Sequence, residues 1–122
     1  MVLHIAAEGI DVSGEHELLA PTLLRSQTLS FLHEAVQRGE IPAEVGLDRL
    51  TRIWQIPIRL LGDAVLRRRA WDLANQLGWA STYKAEYVAL TQLQADAFVT
   101  LDAELERSVE GIVTTASIDA LC

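Results

Sequence analysis

The stretch that decides the fold is TYKAEYVALTQLQADAFVTLDAE, from Thr82 to Glu104. Its first half carries apolar residues at helical spacing and predicts a helix that Ser81 or Thr82 would cap. The run from Ala97 to Leu101 contains Phe, Val and Thr, which favour β structure. Asp102 follows this predicted strand. Because ligands bind outside the carboxyl ends of strands in open α/β sheets, we expect a site at Asp102.

The rest of the chain alternates short apolar runs with helical patterns, and proline or glycine marks most of their ends. Buried faces are expected to include Phe31, Val65 and Leu93. The predicted elements are a strand over residues 16–20, helices from Pro21 or Thr22 to Gly39 and from Pro42 to Pro57, a strand Ile58–Leu61, a helix Ala64–Leu77 capped by Asp63, a helix Asp102–Val109, a strand Gly111–Thr115 and a tail Ile118–Leu121. Met1–Ile10 fits either a short strand or a helix.

Strands that alternate with helices predict right-handed crossovers and a mostly parallel sheet covered on both faces. With 122 residues and no linker or repeat, we expect one domain over residues 1–122. No apolar run is long enough for a membrane span, and no signal peptide is evident. The single cysteine, Cys122, fits a cytoplasmic protein. The net charge of −7 argues against a general nucleic-acid binder, and Arg67–Arg69 is interpreted as a solvated helix face.

Three runs, LLAPTLLRSQTLSFL, TYKAEYVALTQL and DAFVTLD, together resemble the PIN-domain family and most nearly its VapC-type toxin ribonucleases. The resemblance covers roughly Glu17 to Ile118. It implies a three-layer α/β/α domain with a mostly parallel four- or five-stranded sheet. It also implies an acidic site at the carboxyl ends of the strands that binds magnesium or manganese and cleaves RNA. Family members commonly form homodimers and bind an antitoxin peptide.

By this resemblance the family's second, third and fourth acids correspond to Gln27, Lys84 and Asp102, so only the last is retained. The first acid would end an N-terminal strand. In this sequence Met1–Ile5 is either a degenerate first strand, with His4 near the position of the first acid, or the first strand is missing. Asp11 falls in the loop that follows. Because hard divalent cations need several oxygen ligands, this set predicts an impaired site, with Asp102 its only ligand if it binds metal at all.

We hypothesise that the Lys84 ammonium takes the metal's place, pairs with Asp102 and bonds the Gln27 carbonyl, which leaves a neutral pocket that needs no cofactor. Plainer interpretations stand beside this one: Asp102 as a helix N-cap, Gln27 as a flanking polar residue and Lys84 as a solvated cation. The alternative function is an active magnesium- or manganese-dependent ribonuclease with a rearranged site, in which Asp102 acts with Glu86, Glu104 or a missing N-terminal aspartate. A third alternative is a decayed toxin without activity.

The leading expectation is a PIN-like protein that acts by binding protein or RNA. A homodimer and an antitoxin-like protein are the expected partners, and no membrane is expected. The helices from Pro42 to Leu77 are the expected interface, because Trp54 and Trp71 lie there beside arginines. The tryptophans are interpreted as core or interface residues. The histidines, His4, His16 and His33, have no metal-ligand spacing.

Overall fold

A computed structural model describes residues 17–121 of the chain. This part of the chain contains four strands and five α-helices, with two helices between the first and second strands and two between the second and third, and it ends with a short 3₁₀ helix. In chain order these are β1 (Leu18–Pro21), α1 (Leu23–Gln37), α2 (Ala43–Gln55), β2 (Ile58–Leu61), α3 (Ala64–Leu77), α4 (Tyr83–Gln94), β3 (Phe98–Val99), α5 (Ala103–Ser108), β4 (Thr115–Ala116) and the 3₁₀ helix Ile118–Leu121. The expected mixed α/β class is therefore present. Met1–Ile10, with its expected strand or helix, lies outside the described residues.

The strands pair in parallel, as the alternating pattern predicts. β1 pairs with β2, with Leu18 opposite Ile58, and β3 pairs with β4, with Phe98 opposite Thr115. Within the described part of the chain these are two separate two-stranded sheets, and the expected continuous sheet of four or five strands is not formed there. Both β3 and β4 are only two residues long. Short strands offer few ladder hydrogen bonds, so packing against helices must hold them in place.

The chain turns immediately on either side of β3 and β4, which explains their length. After β3, the Asp102 amide donates to Thr100 Oγ1 at 3.1 Å and the chain enters α5. The strand predicted over Gly111–Thr115 is wrong, because Gly111 takes a left-handed φ of 79° and the Ile112 amide donates back to the Val109 carbonyl at 3.0 Å. A turn occupies this region, and the strand begins only at Thr115.

The main core lies where α3 and α4 pack on each other and on β3. Leu73 and Val88 are almost wholly excluded from solvent, and Val109, just after α5, is equally buried. Helix α4 contacts both β1 and β3, so it connects the two strand pairs. A smaller core of Leu32 and Ile53 joins α1 to α2.

Capping residues and glycine mark the helix ends, as the sequence predicts. Asp63 accepts a hydrogen bond from the Leu66 amide at 2.8 Å, which is the expected N-cap of α3. Gly78 ends α3 in the left-handed conformation, with a φ of 69°. Thr82 precedes α4 but makes no side-chain cap, whereas Ser81 Oγ accepts from the Tyr83 amide at 3.3 Å.

Three residues expected on buried helix faces are exposed. Phe31 is 52% exposed, Val65 64% and Leu93 43%. Each sits at the flank of an apolar stripe whose centre is buried. Helical spacing defines the direction of a face but not its width, since the width depends on which elements pack against it.

Candidate functional site

Asp102 follows β3 at the carboxyl end of that strand, separated from it by Thr100 and Leu101, and this is where the sequence predicts the site. Its Oδ1 accepts hydrogen bonds from two backbone amides, those of Glu104 at 3.0 Å and Leu105 at 3.1 Å. Asp102 is thus the N-cap of α5, which is the plainer of its two interpretations. One carboxylate oxygen is therefore already engaged by the fold.

The other oxygen of Asp102 faces Lys84, which lies in the first turn of α4. Lys84 Nζ is 3.9 Å from Asp102 Oδ2, at the long limit of an ion pair. The two side chains are 63% and 48% exposed. Water and salt screen a pair this open, so it contributes between about 0 and 1 kcal/mol. The structure brings Lys84 and Asp102 together, and both side chains of this expected pair lie at the surface.

Gln27, the third residue of the expected site, bonds a different partner. The Tyr87 hydroxyl donates to Gln27 Oε1 at 2.5 Å and links α1 to α4. The expected bond from Lys84 to Gln27 is not made, because the carbonyl oxygen is oriented toward the phenol. Partial burial, with a smaller contribution from nearby Glu86, raises the pKa of Tyr87 to about 12. Tyr87 therefore stays a neutral donor at physiological pH.

Tyr87 is the residue that our reading of the sequence missed. It lies three positions after Lys84 on α4, so the two side chains share a helix face. That spacing was available from the sequence. The partner on α1 was not, because Gln27 is 60 residues away along the chain.

The two glutamates that would replace lost ligands do not join Asp102. Glu86 is partly buried, and this burial raises the pKa of its carboxyl while Arg67 acts in the opposite direction. Glu104 is exposed, and only its backbone amide contacts the Asp102 carboxylate. Neither carboxylate makes a hydrogen bond or ion pair that links it to Asp102 within residues 17–121.

The donor set around Asp102 does not fit a magnesium or manganese ion. Such ions take oxygen ligands in a near-octahedral arrangement, usually with one or two carboxylates. Here one Asp102 oxygen caps a helix, the other faces an ammonium, and the Gln27 oxygen accepts from Tyr87. Residues 17–121 contain no cluster of three or more His, Cys, Asp or Glu side chains placed to hold a metal. The family's first-acid slot, with His4 and Asp11, lies outside the described residues, as does His16.

The three consecutive arginines of α3 are all exposed, as a solvated helix face predicts. They do not share one environment. Arg68 pairs with Asp72 on the same helix at 3.2 Å, whereas Arg69 Nε donates to Gln92 on α4 at 2.8 Å. The three guanidinium groups therefore form no single basic patch.

Apolar side chains remain exposed on the segment that we expected to form an interface. Trp54 on α2 is 51% exposed and Trp71 on α3 is 60% exposed. Trp79 is partly buried and packs against the main core. Trp79 is therefore a core residue, whereas Trp54 and Trp71 are available for contact with a partner.

No protein-family model and no curated protein matches the chain. In the part of the chain that the structure describes, no helix is both long and apolar enough to cross a bilayer.

Proposed function

We infer that the chain is a PIN-like domain, related to the VapC-type toxin ribonucleases, whose metal site is impaired and which acts by binding. The observation that carries this proposal is the state of Asp102. It stands at the carboxyl end of a parallel strand, yet its two oxygens serve a helix cap and a lysine. The hydrogen bond from Tyr87 on α4 to Gln27 on α1 occupies the Gln27 side-chain oxygen, which the resemblance also assigns to the metal.

A binding role fits the exposed apolar surface better than catalysis fits the acidic site. Trp54 and Trp71 each keep more than half of their surface exposed. Tryptophan is enriched at interaction hot spots, because it buries a large area at small entropic cost. We propose that a second copy of the chain contacts Trp54 and Trp71, with an antitoxin-like protein or RNA as further partners, and the cytoplasm as the compartment.

An RNA cleavage assay with added manganese tests the impaired site. The wild-type chain and its Asp102→Ala variant should both leave a mixed RNA substrate intact. Manganese-dependent cleavage that Asp102→Ala abolishes would instead establish the alternative, a ribonuclease with a rearranged acidic site. In that case Asp102 would act with Glu86, Glu104 or an N-terminal aspartate.

Sedimentation velocity tests the proposed self-association separately. Trp54→Ser and Trp71→Ser should shift the chain from dimer to monomer at micromolar concentration, while the fold is retained. Phe31→Ser is the matched control, because Phe31 is about as exposed but lies on α1, outside the two helices that carry Trp54 and Trp71. A wild-type chain that sediments as a monomer over the whole concentration range would contradict the dimer.

A further inference from the structure

A second candidate site lies at the opposite end of β3 from Asp102. An open cleft of about 400 Å³ is bounded by α3, the end of α4 and the two links that enter β3 and β4. These links precede their strands, so the cleft lies at the amino ends of the parallel pair, whereas Asp102 follows the carboxyl end. The residues that line it include Arg69, Gln92, Asp96, Ile112 and Val113.

Arg69 is held in the cleft by a chain of hydrogen bonds. Its Nε donates to Gln92 Oε1 at 2.8 Å, and Gln92 Nε2 donates to the Ile112 carbonyl at 3.4 Å. Gln92 is thereby fixed at both ends of its amide. The two terminal nitrogens of the guanidinium have no hydrogen-bond partner among the described residues. Four N–H donors thus remain available in the geometry that suits a carboxylate.

The cleft also holds an unpaired charge of opposite sign. The Asp96 carboxylate makes neither a hydrogen bond nor an ion pair with any residue in the described range, and so it does not neutralise Arg69. Two opposite charges in one cleft normally attract each other directly. Here Arg69 Nε donates to Gln92 instead. A ligand that brings an anion to Arg69 and a cation to Asp96 would satisfy both groups at once.

We propose that this cleft binds a small zwitterion of the α-amino-acid class, independently of the Asp102 site. The ligand's carboxylate bonds the free nitrogens of Arg69, and its ammonium pairs with Asp96. An aliphatic side chain would lie against Ile112 and Val113, the apolar part of the lining. The cleft volume of about 400 Å³ lies within the range of small-molecule sites. Because both charged side chains reach water, the affinity is expected to be millimolar.

Titration of the full chain with L-leucine, followed by amide chemical shifts in NMR, tests the site. Saturable shifts are expected for residues of α4 and of the links before β3 and β4. Hexanoate, which offers only the carboxylate, and hexylamine, which offers only the ammonium, should each bind at least tenfold more weakly. Arg69→Gln and Asp96→Asn should each weaken L-leucine binding by at least tenfold. Both residues are exposed, so these variants should fold.

Arg68→Gln is the matched control for charge, because it removes the neighbouring cation of α3, which pairs with Asp72 and does not line the cleft. It should leave L-leucine binding unchanged. Gln92→Met should weaken binding without changing any charge, since it frees the Arg69 side chain. Absence of saturation with L-leucine would overturn the proposal. Equal binding of hexanoate, unaffected by Asp96→Asn, would also overturn it and would indicate a simple carboxylate site.

Discussion

Replacing Asp102 separates its two contacts, the helix cap and the ion pair. In Asp102→Ala, the amides of Glu104 and Leu105 lose the oxygen that accepts them at 3.0 and 3.1 Å. Loss of an N-cap costs about 1 kcal/mol, within a range of about 0.5–2. The ion pair with Lys84 adds little, because it is long and exposed. We therefore expect Asp102→Ala to lower the free energy of unfolding by about 1 kcal/mol.

Asp102→Asn keeps the cap and removes only the charge, since asparagine and aspartate cap helices about equally well. Its free energy of unfolding should lie within about 0.5 kcal/mol of the wild-type value. The same is expected of Lys84→Gln, which removes the ion pair from the other side. Urea denaturation of the three variants at neutral pH measures these differences. Asp102→Asn as destabilised as Asp102→Ala would refute the reasoning, because the carboxylate charge rather than the cap would then dominate.

Three further predictions concern the helices behind the site. Because the pKa of Tyr87 is raised to about 12, the stability that its neutral phenol contributes is complete below about pH 10 and is lost as the pH rises through 12. Tyrosinate absorbance should show a transition at high pH that Tyr87→Phe removes. A transition that survives this substitution would disprove the assignment. Burial also raises the pKa of the Glu86 carboxyl, so Glu86→Gln should increase the urea midpoint at pH 7. This gain should shrink as the pH falls through the raised pKa and should be absent below the usual pKa of a glutamate; a lower midpoint at pH 7 would contradict it. Leu73→Ala should lower the free energy of unfolding by about 2–5 kcal/mol, because Leu73 is 1% exposed in the main core. The control Leu47→Ala, at a residue 66% exposed, should change it by no more than about 0.5 kcal/mol, and equal losses would argue against the described core.

Local rules predicted most of the helices, because their ends depend on nearby residues. Asp63 caps α3 as expected, and Gly78 ends it with a left-handed backbone that glycine adopts without strain. Proline marks the start of α2 and lies just beyond its end, at Pro42 and Pro57. In each case the physical cause lies within a few positions of the effect.

Features that depend on distant residues were predicted less well. The strand expected from Gly111 fails because a turn competes for the same residues, and β propensity alone does not resolve that competition. The Lys84–Asp102 ion pair followed from the resemblance, but its exposure did not. The Gln27–Tyr87 bond joins residues on α1 and α4, so it depends on how these two helices pack, which periodicity does not specify.

The Asp102 site lacks the ligands for a divalent cation, because one carboxylate oxygen caps α5 and the other faces Lys84. Calorimetric titration of manganese into the wild-type chain tests it most directly, with the double variant Gln27→Glu/Lys84→Asp as a positive comparison. That variant places carboxylates at the two positions that the resemblance assigns to metal ligands, and it should gain binding that depends on Asp102. The wild type should show no saturable heat in the micromolar range. Micromolar binding by the wild type that Asp102→Ala abolishes would show that the site does hold a divalent cation.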